Sequence, residues 1–436
     1  MGSDSKIVSV TAREVFSLRV HPGVEVTVVT QNGAAGVAIA TAGTSVGEQE
    51  ARFVYDENKR LLGRGVQKAV DNVNNIIGPA LKGMDATKQL EIDEVLINLD
   101  GTPNKSKLGA NATGSVSAAV LKAGAASLGI PLYQHIGGIN AYTLPVPGVL
   151  TIMGPHRYGG GERAGTKPTY SIMCYGFDSF REASYAGWRA FAEFIRILNL
   201  KLNLNFSLES YGRVIINSKV VEHDREFWDI MAETITNLGY EGRMGIQVDV
   251  AASTYFDKEK QRYVGLFSAE DKTREDLIEL YKEMVKSYPF VIIEDPLEEN
   301  DFEGHAYLTK ELGIEIVGDD LFATNIDRVK RAAELGAANA VLLKVYQKGT
   351  ISEAFDMVKF AYQHGYGVMP CSSRGEGADI ADYAVGLNTG HLREGAIDET
   401  GNRLLKIESE LGSRARFLGK EGLKLGRSVK ASNERL

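Results

Sequence analysis

The first part of the chain combines alternating and helix-like patterns of apolar residues. Apolar and polar residues alternate in two runs on either side of Pro22, which predicts a β-hairpin, and a third strand is predicted over residues 36–42. Over residues 65–130 the apolar positions are spaced three and four apart, which predicts helices. Strands followed by a block of helices are typical of an α+β domain, which we assign to residues 1–140.

A different pattern begins after residue 140. Short apolar runs at residues 290–293, 314–317 and 340–343 are each followed by a helix-like segment. Near-continuous apolar strands that alternate with helices indicate a parallel sheet covered on both faces. A closed barrel of eight such units takes roughly 250 residues, and the rest of the chain is long enough. We therefore predict an α/β fold, with a (β/α)8-type barrel over residues 141–436 and the α+β domain as its cap.

Charged residues follow several of these predicted barrel strands directly. Asp249, Glu294 and Asp319 come at the ends of three strands, and Lys344 ends the next. The active sites of barrel enzymes lie at this end of the strands, so we expect the four side chains to meet at one mouth.

Three carboxylates at one place repel one another unless a cation lies among them. Oxygen ligands of this kind suit Mg²⁺, Mn²⁺ or Ca²⁺ better than zinc. A lysine beside a bound metal has its pKa lowered, and its neutral amine can act as a base. The pattern therefore predicts removal of a proton next to a substrate carboxylate, with Lys344 as the base and the metal stabilising the negative charge that develops.

Composition narrows the kinds of partner. The 436 residues carry a formal net charge of −8, which argues against a nucleic-acid partner. The two cysteines, Cys174 and Cys371, show no zinc or disulfide spacing and fit a reducing cytosol. The amino terminus has no apolar signal region, and no apolar stretch approaches the ~18 residues of a membrane span. We expect a cytoplasmic protein without a membrane partner.

Several long motifs, in the same order along nearly the whole chain, resemble the enolase (phosphopyruvate hydratase) family. They lie at residues 104–112, 129–136, 249–253, 293–296, 317–321, 343–345 and 407–412. The resemblance implies a capped, modified barrel that is a homodimer or a higher homo-oligomer. It implies that Asp249, Glu294 and Asp319 hold a tightly bound Mg²⁺ and that Lys344 is the base. It also implies a second Mg²⁺ held partly by a loop serine, which is Ser45 here.

The chain departs from the enolase pattern where that family carries its leaving-group machinery. The family's Gly-Gly-Ser-His-Ala-Gly-Asn segment becomes Gly154–Gly161, and the glutamate that follows it in enolases falls at about Thr169. His156 either replaces the family's loop histidine near the substrate or is a solvated loop residue. The family's Gly-Asp-Glu-Gly-Gly, whose glutamate helps to expel the hydroxyl group, has no counterpart. Nearby Glu209 is the candidate substitute, with an ordinary loop glutamate as the alternative.

Anion recognition is altered but retains its chemistry. The family's phosphate-binding Ser-His-Arg-Ser-Gly-Glu becomes Cys371–Glu376, so Ser372, Ser373 and Arg374 are the candidate contacts. The late lysine of the family becomes Arg393. Hydroxyl groups and a guanidinium suit a phosphate or phosphonate, because arginine offers two parallel donors.

Three functions stay open on these residues. The first is a Mg²⁺-dependent lyase that acts on a small phosphorylated or phosphonylated hydroxy-acid of the 2-phosphoglycerate/phosphoenolpyruvate type. The second is a transferase that forms C–P bonds, similar to the enolase-like synthases that make carboxyphosphonoenolpyruvate. The third is a non-catalytic enolase paralogue. The four charged strand ends favour an enzyme, because a scaffold has no need of clustered like charges.

Overall fold

The chain forms a capping part followed by a barrel in the computed structural model. The structure describes residues 4–17, 20–43, 46–57, 59–154, 158–159, 164–217 and 219–426. The two parts are joined by contacts such as an ion pair between Lys122 and Asp379, whose atoms lie 2.6 Å apart.

The capping part is a three-stranded antiparallel sheet covered by helices. Its elements are β1 (Ile7–Phe16), β2 (Pro22–Thr30), β3 (Ala35–Thr41), α1 (Gln67–Asn72), α2 (Gly78–Leu81), α3 (Gln89–Asp100), α4 (Ala110–Ser127) and α5 (Leu132–Gly137). Small residues let α4 pack closely on the sheet: a Cβ atom on Gly36 would come within 2.0 Å of the Ala119 carbonyl oxygen. The hairpin, the third strand and the helical block agree with the sequence pattern.

The barrel sheet contains eight strands. The strands of the second part are β4 (Thr143–Leu144), β5 (Val146–Met153), β6 (Thr169–Cys174), β7 (Met244–Asp249), β8 (Phe256–Asp257), β9 (Arg262–Tyr263), β10 (Phe290–Glu294), β11 (Glu315–Gly318), β12 (Ala340–Leu343), β13 (Gly367–Pro370), β14 (His391–Gly395) and β15 (Arg416–Phe417). The sheet order is β13-β12-β11-β10-β7-β6-β5-β14, and β13 also contacts β14, so the sheet is nearly closed. The predicted barrel is therefore confirmed.

Helices surround this sheet. They are α6 (Phe180–Leu202), α7 (Arg225–Asn237), α8 (Arg274–Ser287), α9 (Phe302–Leu312), α10 (Ile326–Leu335), α11 (Val345–Lys348), α12 (Ile351–Gln363), α13 (Asp379–Gly386) and α14 (Glu399–Leu411). Side chains cap several of their first turns: the hydroxyl oxygens of Ser179 and Thr350 accept backbone N–H groups three residues ahead. Among the described residues, no single helix is long and apolar enough to cross a membrane; one bent pair, Ala110–Ser127 with Leu132–Asn140, passes that test only when its members are taken together.

One strand of the barrel runs against the all-parallel order that the sequence pattern predicts. β6 pairs antiparallel with both β5 and β7, and Thr169 at its start lies opposite Asp249 at the end of β7. β5 is followed by β6 without an intervening described helix, whereas α6 and α7 both separate β6 from β7. A parallel neighbour needs a crossover connection, so the direct β5–β6 connection reverses the strand. The start of β6 therefore lies at the same end of the barrel as the ends of β7 and β10.

Candidate active site

Three carboxylates converge where neighbouring barrel strands end. Asp249 and Glu294 are the last residues of β7 and β10 and lie opposite each other in the sheet register. Asp319 directly follows β11, and all three side chains are buried. One carboxylate oxygen each from Glu294, Asp295 and Asp319 lie within 4.8 Å of one another. The third member of this oxygen cluster is therefore Asp295 rather than the predicted ligand Asp249, which lies beside Glu294 at the neighbouring strand end.

The Asp295 carboxylate lies close to those of Glu294 and Asp319, and it is also hydrogen-bonded to the backbone that carries Asp319. Its carboxylate accepts backbone N–H groups of Asp319, Asp320 and Leu321 at 3.0, 2.7 and 3.3 Å. The Asp295 backbone has a φ of 44°, an uncommon conformation for a residue other than glycine. Asp295 therefore holds the turn that presents Asp319.

Three cations face the three carboxylates. The Lys344 ammonium contacts Asp319, and the Lys167 ammonium contacts Asp249. The Arg393 guanidinium contacts Glu294 through one nitrogen and lies 2.5 Å from Asp249 through the other. Buried charges of one sign are costly unless they are paired, and here the formal charges of the six groups cancel.

The pKa of Lys344 differs from the sequence expectation. Burial has the largest single effect and lowers this pKa, but neighbouring groups, with Asp319 foremost, oppose it, and the net pKa lies above the ordinary value. The lowering predicted from the sequence requires a cation that competes with the ammonium for Asp319. The pKa of Glu294 is raised, first by burial, although the Arg393 guanidinium opposes that shift.

Lys167 is a site residue that the sequence analysis missed. Its side chain is buried, and burial together with nearby Arg393 lowers its pKa to about 7, against the opposing effect of Glu294. Lys167 lies two residues before the start of β6, whereas the sequence prediction considered only charged residues at the carboxyl ends of parallel strands. The available signal was position: Lys167 lies two residues before Thr169, where the enolase pattern has a glutamate.

The chemistry of the cluster fits a divalent metal ion. The ligand atoms are carboxylate oxygens, which Mg²⁺ prefers. Glu294 Oε2 is buried and has no hydrogen-bond partner within the described part of the chain, so an oxygen stays available for a cation. Gln347 supports the third ligand, because its Nε2 donates to Asp319 Oδ1 at 2.8 Å.

The anion-binding residues predicted near β13 separate into two groups. Ser372 and Arg393 line the same small cavity, and Arg393 also contacts Glu294 of the carboxylate cluster. Ser373 follows Ser372 in the same turn and is half-buried. The Arg374 guanidinium instead contacts Glu50 of the capping part, with 3.2 Å between Arg374 Nε and Glu50 Oε2.

Three further predicted residues are not brought to the cluster by the described structure. Glu209 is exposed in a short turn, Leu208–Ser210, whose packing partner is the outer helix α6. Hydrogen bonding to Ser207 lowers the pKa of Glu209, so it is a solvated carboxylate in this structure. Ser45 and His156 lie outside the described residues.

An acidic cavity of about 180 Å³ lies between the capping part and the barrel. Gly47 lines it together with Glu299 and Asp320, and Glu299 Oε1 has no hydrogen-bond partner among the described residues. Burial, then the neighbouring Asp319, raises the pKa of Asp320 to about 7. Val46, which follows Ser45 in the chain, also lines the cavity.

Comparisons with known proteins agree with this arrangement. The family description "Enolase, N-terminal domain" matches residues 7–136, and "Enolase, C-terminal TIM barrel domain" matches residues 141–425. The chain belongs to the enolase family. It is 43% identical to the enolase of Methanocaldococcus jannaschii over 93% of this chain and 96% of the relative. It is also 43% identical to the enolases of Methanopyrus kandleri, over 94% and 97%, and Pyrococcus furiosus, over 96% and 98%.

Membership of the enolase family confirms the resemblance found in the sequence and makes the chain a Mg²⁺-dependent, enolase-type lyase.

Proposed function

We propose that this chain removes the proton next to the carboxylate of a small phosphorylated or phosphonylated hydroxy-acid. The observation that carries the proposal is the meeting of Asp249, Glu294 and Asp319 with Lys344 at one buried mouth. A substrate of the 2-phosphoglycerate/phosphoenolpyruvate type suits this mixture of carboxylates and cations. The relatives named above carry the name enolase, which supports the same class of reaction.

The residues of this chain divide the work as follows. Asp249, Glu294 and Asp319 hold Mg²⁺, which when bound neutralises negative charge on the substrate carboxylate. Lys344 Nζ takes the proton from the neighbouring carbon, and burial of its side chain keeps competing water away. Asp295 and Gln347 hold Asp319 in place.

Lys167 is our candidate for the group that assists the departing hydroxyl. Glu209 is exposed on an outer turn, whereas the Lys167 ammonium lies at the mouth, just before β6 and away from Lys344, which follows β12. Lys344 would take the C2 proton and the C2–H electron pair would delocalise into the carboxylate. That pair would then return to form the C2=C3 double bond as the C3–O bond breaks, and the departing oxygen would take a proton from Lys167 to leave as water. A positioned acid contributes ~10²–10⁴-fold to such a step.

The remaining predicted contacts complete the proposed site. Arg393, whose Nε has no hydrogen-bond partner among the described residues, would bind the phosphate or phosphonate together with Ser372 and Ser373. Ser45 would hold a second Mg²⁺ beside the acidic cavity, and His156 would approach the substrate from its loop. We also propose that the protein acts in the cytoplasm as a homodimer or a higher homo-oligomer, as the family resemblance implies.

The test is exchange of the C2 proton of 2-phosphoglycerate in D₂O with Mg²⁺, followed by NMR, in parallel with growth of enol absorbance. Exchange in the native protein that disappears in Lys344→Met supports the proposal. Exchange without new absorbance assigns a different second half-reaction, such as C–P bond formation. A native protein that takes up Mg²⁺ but exchanges no proton of any three-carbon phospho-acid contradicts the proposal.

A further inference from the structure

Arg374 and Glu50 form an ion pair between the barrel and the capping part. Both side chains are almost fully buried, with relative exposures of 3% and 4%. Arg374 Nε donates to Glu50 Oε2 at 3.2 Å, and a second guanidinium nitrogen contacts Glu50 Oε1. A guanidinium that shares two donors with a buried carboxylate is already committed, so it is not an open anion site.

The same arginine contacts the capping part at a second point. The Thr41 backbone N–H donates to the Arg374 carbonyl oxygen at 2.7 Å. Gly43 lies against the guanidinium: a Cβ atom there would come 1.5 Å from an Arg374 terminal nitrogen. Arg374 therefore contacts the capping part at Thr41 and Gly43 as well as at Glu50.

Glu50 connects these Arg374 contacts to the metal cluster. Its Oε1 accepts the Gly47 N–H at 3.1 Å, and Gly47 lies beside the Asp320 carboxylate. The next residue, Ala51, donates its N–H to the Gln347 carbonyl oxygen at 2.8 Å. The Gln347 side chain in turn donates to Asp319 Oδ1 at 2.8 Å. One continuous set of contacts thus runs from the ion pair to a metal ligand.

We propose that the Glu50–Arg374 pair is a positioning element that docks the capping segment Gly47–Ala51 on the barrel mouth and thereby orders Asp319 for metal binding. The inference rests on the proposed metal site. It assigns Arg374 a role different from the anion contact that the sequence predicts. Because coupling between two sites is reciprocal, docking of the segment favours Mg²⁺ binding, and Mg²⁺ binding favours docking.

The variant Glu50→Gln distinguishes the two roles for Arg374. If Arg374 is a positioning residue, Glu50→Gln and Arg374→Met both weaken Mg²⁺ binding, because either change removes the ion pair that holds the capping segment on the barrel. If Arg374 is an anion contact, Glu50→Gln frees the guanidinium and tightens the binding of inorganic phosphate, whereas Arg374→Met weakens it. Isothermal titration calorimetry with MgCl₂ and with phosphate measures both constants.

We expect each single variant to raise the Kd for Mg²⁺ roughly tenfold, within the ~5–150-fold range of ordinary coupling between sites. Hydrogen exchange of the Gly47–Ala51 amides should be slowed by Mg²⁺ in the native protein and not in the variants. The charge-swapped pair Glu50→Arg with Arg374→Glu should recover part of the affinity. Lys122→Met is the matched control, because it breaks a different ion pair between the capping part and the barrel, with Asp379, and should leave the Kd unchanged.

The outcomes separate this inference from the proposed function. Native protein that binds no Mg²⁺ overturns both the metal site and the inference. Native protein that binds Mg²⁺, with Glu50→Gln binding it equally well, overturns the inference alone. Circular dichroism identifies variants that do not fold, and the double variant Glu50→Gln with Arg374→Met, which leaves no buried charge unpaired, then replaces the single ones.

Discussion

Removal of the Lys167 charge is the perturbation whose effect follows most directly from the site. Lys167, Lys344 and Arg393 offset three carboxylates, so a metal ion that enters must displace bound ammonium groups. In Lys167→Met the carboxylate cluster gains one net negative charge. Asp249 keeps its Arg393 partner at 2.5 Å, so the substitution leaves no carboxylate without a cation. We therefore expect the variant to fold and to bind Mg²⁺ more tightly than the native protein.

The size of the effect follows from the dimensions of the cluster. One carboxylate oxygen each from Glu294, Asp295 and Asp319 lie within 4.8 Å of one another, and Lys167 contacts the neighbouring Asp249, so a metal ion among these ligands would lie at a similar distance from the Lys167 ammonium. Two unit charges ~5 Å apart interact by roughly 3 kcal/mol at an effective dielectric constant of ~20. Half of that value, which allows for movement of the ammonium away from the metal, is ~1.5 kcal/mol. Since ~1.4 kcal/mol corresponds to a factor of ten, the Kd for Mg²⁺ should fall roughly tenfold.

Calorimetric titration with MgCl₂ at one fixed pH and ionic strength measures this constant. Lys272→Met is the control, because Lys272 is also a buried lysine but donates to Ser268 at 2.7 Å rather than to the cluster. Activity should move the other way: Lys167→Met should keep C2-proton exchange and lose dehydration ~10²-fold or more. An unchanged or weaker Mg²⁺ affinity in Lys167→Met, with Lys272→Met like the native protein, refutes the electrostatic argument.

Three further predictions concern single residues. Lys344→Met should bind Mg²⁺ but show no C2-proton exchange in D₂O by NMR. Burial raises the pKa of Glu376 from 4.5 to about 7. The folded protein therefore keeps this proton where the unfolded chain loses it, and the unfolding free energy falls as the pH rises from 4.5 to 7. In Glu376→Gln this fall should be smaller by up to ~3 kcal/mol. Trp228→Ala should lower the unfolding free energy by ~3–5 kcal/mol in urea, because the indole is fully buried and donates to the Tyr170 hydroxyl at 3.0 Å.

Each of these has a clear contrary result. Proton exchange at the native rate in Lys344→Met removes the assigned base. If the unfolding free energy falls equally with pH in the native protein and in Glu376→Gln, the pKa of this carboxyl group does not differ between the folded and unfolded states. A loss below ~1 kcal/mol for Trp228→Ala shows that the surrounding rings collapse into the space left by the indole.

The sequence by itself determined the barrel, the capping domain and four of the residues at the mouth. Asp249, Glu294, Asp319 and Lys344 could be found because each directly follows an apolar strand. Parallel barrel strands end on one side, so position along the chain translates into position in space. This inference uses only the position of each residue along the chain, and it needs no knowledge of which residues face one another across the barrel.

Only the tertiary structure decided the positions and contacts of Lys167 and Arg374. Lys167 reaches the mouth because β6 is antiparallel to its neighbours, and strand direction depends on the connection between strands rather than on the strand's own residues. Arg374 contacts Glu50, which lies 324 positions earlier in the chain. Two residues so far apart are neighbours only once the cap is docked, so the pairing partner of a buried charge is a property of the fold and not of the local sequence.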